Sequence, residues 1–349
     1  MTLHNQPPDC LPTHPFERVH ELTGYAEPSG CPSPLQPSKI RHTRPFVQIS
    51  PVDAAFAPAV QSLADNFQRY YEEAGPDYAA WSPHFNMHFG FLRRGVNPLN
   101  REAMLEQMNR EVFDRLHLAE DPSAPAHPRI LDMGCGLGAT LRSFARRLPT
   151  ADLQGITLVL WQLEQGRLLN QSSLQTTNIT LNLGNYEHTT YPSASFDAIY
   201  AIESSCYGTG ANKSRLIGEA HRLLRQGGRI VVADGFLSPE KLRGPQRSIY
   251  RTLSNCWAIE DLGEIRPFTR ELHRAGFGDI AVEQIQTRVT PSVLHVPFVT
   301  LKFLFTSVLF GSRRMTRARW NNLLAPILLP LVSYPIGPLA YYIVSATRI

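Results

Sequence analysis

Across its 349 residues the chain carries no CxxC pair, no long Lys/Arg block, no basic-then-apolar leader at its start and no DDxxD motif. Its five cysteines, at 10, 31, 135, 206 and 256, have neither zinc nor disulfide spacing, which points to a reducing compartment and to no metal site. His84 and His88 stand four apart, but no third ligand accompanies them. The opening MTLHNQPPDCLPTHPF lacks both parts of a secretory signal, so the body of the protein is expected to be cytoplasmic. A net charge of +4, with charged residues at 18% and spread out, provides no track for nucleic acid. Charge is also missing from Trp320 to Thr347, where prolines at 326, 330, 335 and 338 argue against a straight membrane helix.

What the chain does have is centred on RILDMGCGLGAT, residues 129–140. A short apolar strand ends in Asp132, glycines follow at 134, 136 and 138, and a helical run begins at Leu141. Glycine allows a positive-φ turn and lets a ligand approach bare backbone, while the first helical amides direct partial positive charge at an anion. The GxGxG spacing is not the GxGxxG of dinucleotide-binding domains, and the Lys-Ser/Thr of a phosphate loop is absent. On these residues alone the alternative is an ordinary tight turn.

Downstream, strands and helices alternate. Residues 151–159, 178–183, 195–205 and 225–236 read as strands, and 161–170 and 213–224 as helices. The 195–205 strand, SFDAIYAIESS, is apolar on both faces and places Glu203 at the carboxyl edge of a parallel sheet, where doubly wound folds bind ligands. Before the glycine turn, helical spacing predicts amphipathic helices over 53–73 and 101–118, separated by GPDYAAWSPHFNMHFGF.

The acid, the GxGxG turn, the strand ending in Glu203 and LLRQGGRIVV occur in the order found in class I S-adenosylmethionine-dependent methyltransferases, which the chain resembles from about Tyr70 to Ile285. Trp81, Met87, His88, Gly90 and Phe91 resemble a stretch of the sterol, tocopherol and terpenoid C-methyltransferases, and GITLxxxQ resembles a variant of the second strand and helix seen in that group. The resemblance implies a doubly wound, Rossmann-like seven-stranded α/β sheet with a helical lid, and S-adenosyl-L-methionine as co-substrate. It implies that Asp132, Gly134, Cys135, Gly136 and Gly138 hold the amino-acid part of that donor. Thr157, Leu158 and Gln162 would face ribose and adenine, Asn185 and Tyr186 the adenine, and Tyr70 the donor from the lid. Asn185 stands where the family commonly has Asp.

The expected organisation is a Pro-rich tail over 1–50, a helical lid over 51–120, a methyltransferase core over 121–288, an apolar helical insertion over 289–340 and a last strand over 341–349. The insertion predicts two lipophilic helices that cover an apolar substrate chamber and touch the membrane interface peripherally. The expected reaction is methyl transfer to an isoprenoid- or lipid-like molecule, on carbon, with Glu203 and His88 catalytic. The alternatives are O- or N-methylation of a quinone, polyketide or lipid headgroup, and a non-enzymatic donor-binding module at a membrane. The alternative for Glu203 is a purely structural or donor-binding carboxylate. The sequence leaves the oligomeric state open.

Overall fold

The apolar runs assemble into one sheet in a computed structural model that describes residues 67–118, 125–171, 178–238, 242, 244–308 and 314–349, with the side chains of 307 and 308 outside the description. The 1–50 tail and most of the 53–73 helix lie outside the described residues, and the end of that helix is helical over 67–74 (α1). Helix α2, Arg101–Arg115, is capped by Asn100, whose side chain accepts from the Ala103 amide at 3.0 Å.

Strands β1 (Arg129–Met133), β2 (Asp152–Thr157), β3 (Ile179–Leu183), β4 (Phe196–Ile202) and β5 (Leu224–Leu237) pair in parallel. Helices α3 (Ala139–Arg147), α4 (Leu160–Gln171) and α5 (Ser214–Leu223) connect them. The sheet order is β3-β2-β1-β4-β5-β7-β6, with β7 (Leu339–Arg348) inserted antiparallel between β5 and β6 (Phe277–Gln284). The order reverses beside β1, so β1 and β4 flank the switch point where ligands of doubly wound sheets bind. Central strands covered on both faces account for the unbroken apolar runs: Ile130, Ile199 and Val231 are all inaccessible to solvent.

Helices α6 (Pro245–Cys256) and α7 (Ile265–Ala275) precede β6, and the segment between β6 and β7 is helical. It forms α8 (Gln286–Val293), α9 (Val296–Phe303) and α10 (Arg317–Val332). The prolines at 326 and 330 do not end α10. A buried ion pair, Arg319 Nε to Asp77 Oδ2 at 2.7 Å, fastens α10 to the 3₁₀ turn Gly75–Ala80, and the Tyr70 hydroxyl donates to Asn322 Oδ1 at 2.9 Å.

Candidate active site

Two cavities meet at the carboxyl edge of the sheet. The smaller, about 80 Å³, lies over the glycine turn. β1 stops at Met133 because Gly134 and Gly136 turn the chain with φ of 109° and 51°. A Cβ on Gly134 would lie 2.3 Å from Ser204 Cβ, so only glycine allows the turn to pack against the end of β4. Ser204 stitches the two together: its Oγ donates to the Met133 carbonyl at 2.6 Å, and its own carbonyl accepts from the Tyr186 hydroxyl at 2.7 Å.

Asp132, Gly134, Cys135, Gly136, Thr157 and Leu158 line this cleft, as do Gln162 and Tyr186. Burial pushes the Asp132 carboxyl up to about 7, with the nearby Tyr200 hydroxyl opposing the shift. Thr157 Oγ1 donates to Gln162 Oε1 at 2.6 Å, and among the described residues the Gln162 amide nitrogen has no protein partner. A bare glycine floor, a buried carboxylate suited to a cationic group and an unengaged amide donor for hydroxyls fit a sulfonium nucleoside with an amino-acid tail. Three expected donor residues lie elsewhere. Gly138 caps α3 at φ 78°, Asn185 accepts from the Glu187 amide at 2.9 Å, and Tyr70 packs with Tyr71 and bonds Asn322.

The larger cavity, about 170 Å³, is closed by the segment between β6 and β7. Val296, Val299, Thr300 and Phe303 of α9 line it, as do Leu323 and Pro326 of α10. Aromatic walls come from Tyr71, Tyr78, Trp81, Tyr207 and Trp257. Asp77, Glu203 and Asp234 also line it, and Asp77 is held by Arg319. No Lys or Arg is among the described lining residues. Asp234 ends the apolar run of β5 and accepts from Ser205 Oγ, the Cys206 amide and the Gly235 amide.

Glu203 and His88 belong to both cavities, together with Tyr71, Met87 and Tyr207. Glu203 sits in the left-handed region at φ 47°, a conformation unfavourable for a side-chain-bearing residue and held here by the ends of β4 and β5. Its Oε1 accepts from the Phe89 amide at 2.6 Å and from the Tyr341 hydroxyl at 2.8 Å, while Oε2 has no protein partner among the described residues. Burial pushes its pKa up to about 8, the nearby Asp234 adds to this, and the Phe89 and Tyr341 hydrogen bonds oppose it.

His88 has both ring nitrogens engaged, Nδ1 with the Phe89 carbonyl at 2.9 Å and Nε2 with Asn109 Oδ1 at 3.0 Å. Burial lowers its pKa. Thr140 Oγ1 donates to the same Asn109 oxygen at 2.9 Å, which ties this loop to α3. Sequence reasoning missed Asp234, Tyr341 and Ser204. IVVAD carries the same apolar-run-then-acid signal as AIE at Glu203, but nothing local marks Tyr341, which reaches Glu203 across 138 positions.

Residues 130–228 match the family described as a methyltransferase domain. The chain is 30% identical over 205 residues to the O-methyltransferase resE of Aspergillus sclerotiorum, spanning 59% of this chain and 73% of that one. It is 29% identical over 179 residues to the methyltransferase GfsG of Streptomyces halstedii, spanning 50% of this chain and 60% of that one. Among solved structures it resembles geranyl diphosphate C-methyltransferase from Streptomyces coelicolor, with TM-score 0.60 and 14% identity over 82% of this chain and 98% of that one, a likeness of fold. With its glycine turn, edge carboxylates and sheet order, the chain belongs to the class I S-adenosylmethionine-dependent methyltransferases.

Proposed function

We propose that this methyltransferase acts on carbon of a lipophilic, phosphate-free small molecule held in the larger cavity. The observation that carries the reading is the position of Glu203, at the junction of the two cavities, with one oxygen fixed by Phe89 and Tyr341 and the other without a protein partner. The apolar and aromatic lining suits a hydrocarbon-like acceptor, and a diphosphate would find no Lys or Arg among the described lining residues.

Bound in the smaller cleft, S-adenosylmethionine would supply an electrophilic methyl group. The protein's part is alignment and charge. As the alkene π pair of the acceptor forms the new carbon–carbon bond, the methyl–sulfur bond would break with its electron pair left on sulfur as a neutral thioether, and positive charge is left on the neighbouring carbon. The Tyr71, Trp81 and Tyr207 rings and the Glu203 and Asp234 carboxyls stabilise that charge. Glu203 Oε2 then takes the proton from the adjacent carbon, the C–H pair restores the double bond, and the carboxylic acid releases its proton to solvent. His88, with both nitrogens engaged, holds the 86–89 loop instead of moving a proton. A hydroxyl acceptor is the second reading, favoured by the similarity to the Aspergillus O-methyltransferase; Glu203 Oε2 would then take the O–H proton.

The test is incubation with a methyl-labelled donor and a lipid extract, followed by locating the label by NMR. The expected product carries it on carbon in the apolar fraction. Label on oxygen or nitrogen overturns the carbon assignment, and label confined to water-soluble products overturns the lipophilic acceptor.

A further inference from the structure

The helices that close the larger cavity are apolar on both sides. On α9 and the turn after it, Val296, Val299, Thr300 and Phe303 face the cavity, whereas Phe298, Leu301 and Phe305 are 75%, 68% and 60% exposed. On α10, Leu323, Pro326 and Leu329 face inward, and Trp320, Leu324, Ile327 and Leu331 are 41–50% exposed at spacings of four, three and four, which is one helical face. Near them Tyr334 and Ile336 are 49% and 66% exposed. Soluble monomers seldom leave so many large apolar side chains together in water.

Charge on the same segment has one sign. No Asp or Glu occurs after Glu283, while Arg288, Lys302, Arg313, Arg314, Arg317, Arg319 and Arg348 do. Of these, Lys302, Arg314 and Arg317 are described as exposed beside the apolar face, and Arg319 is buried against Asp77. The stretch Gln286–Thr306 is long and apolar enough to cross a membrane by length and composition, yet the inward residues of α9 are committed to the cavity. That arrangement suits a helix lying in the interface, with cations directed at phosphate groups.

We propose that the outer face of α9 and α10 docks on an anionic lipid bilayer. Docking brings the cavity wall itself against the acyl chains, so an apolar acceptor reaches Glu203 without crossing water. This delivery step rests on the lipophilic-acceptor reading; the docking does not.

The experiment is sedimentation of the full chain with phosphatidylcholine vesicles and with vesicles that also contain phosphatidylglycerol. Binding is expected on both, tighter on the anionic ones and weakened by salt. The triple variant K302E/R314E/R317E should lose on the order of a hundredfold in affinity for the anionic vesicles and little for the neutral ones. F298S/L301S/I327S should lose binding to both while keeping its circular dichroism and donor affinity, which shows that it folds. Failure of the native chain to bind either vesicle overturns the proposal. So does a concentration-dependent dimer that F298S/L301S/I327S abolishes and that does not bind vesicles, because the face would then belong to a second copy. None of these readouts uses methyl transfer, so a wrong acceptor assignment leaves them unaffected.

Discussion

Most of the wall of the smaller cleft comes from strand ends and the turns and helix starts that follow them, from Asp132 in β1 to Tyr207 after β4. The larger cavity is assembled from Tyr71, Trp81, Asp234, Trp257 and the helices between β6 and β7, segments far apart in the chain. The first is therefore built mainly on the sheet. The second is closed by a cover fastened by side chains such as Arg319 and Tyr70. Among the described residues Glu203 alone offers a carboxylate to both, so substitutions should separate into those that damage the sheet edge, those that damage the junction and those that only reshape the cover.

The largest effect is expected at the sheet edge. Gly134→Val puts a branched side chain at φ 109° with its Cβ 2.3 Å from Ser204 Cβ. Strain and overpacking should cost roughly 2–5 kcal/mol. Calorimetric titration should then find no donor binding. Donor affinity within a few-fold of the native chain would show that the turn tolerates a side chain and is not the donor floor.

At the junction, Glu203→Gln removes the charge and, on the proposed mechanism, the proton acceptor, with little change of shape. The turnover rate should fall by ~10²–10³-fold with donor affinity retained. An undiminished rate would remove Glu203 from catalysis. On the proposed mechanism the native enzyme must ionise a carboxyl whose pKa is about 8 without ligands, so its rate should rise as pH climbs toward that value. A cation bound beside the carboxyl moves this limb to lower pH. The stability consequence has the opposite sense. The folded state holds the Glu203 proton more tightly than the unfolded chain, whose ordinary value is 4.5, so this group's contribution to stability is present below 4.5 and is lost as pH rises toward 8. Thermal melts of Glu203→Gln should decline less over that range than those of the native protein.

Tyr341→Phe is a finer probe of the same junction. The hydroxyl bonds Glu203 Oε1 at 2.8 Å and favours the ionised form, so its loss raises the carboxyl pKa further. The rate at neutral pH should drop by about tenfold, in line with loss of one hydrogen bond to a charged group, and recover in alkaline buffer. A merely structural role for Tyr341 would lower the rate by the same factor at every pH.

These contrasts follow how each region is written in the sequence. The glycine turn, the positions of strands β1 to β5 and the position of Glu203 are local: period, glycine spacing and an acid after an apolar run specify them within a few residues. Asp234 carried the same local signal as Glu203. The junction was legible only in part, because Tyr341 reaches Glu203 from an antiparallel strand after the helical cover, and that approach depends on strand order. Tyr70 shows the reverse. Its place in an aromatic lid suggested contact with the donor, but its hydroxyl is spent on Asn322 of α10, a pairing that no spacing encodes. The prolines at 326 and 330, which argued against a straight membrane helix, lie inside α10, and the helix continues through both.

The smallest effect is expected in the cover. Val299 lines the larger cavity and is absent from the lining of the smaller cleft. Val299→Phe adds bulk to a space of about 170 Å³ without adding charge. The KM for a bulky acceptor should rise about fivefold, the low end of the roughly 1–3 kcal/mol that a methylene is worth in an apolar pocket. Donor affinity and the pH limb set by Glu203 should stay where they are. Steady-state kinetics across acceptors of graded length would show the native order of preference shifting toward the shorter ones. An unchanged order together with weaker donor binding would mean that the two cavities are one site, and that the sheet edge and its cover do not vary independently.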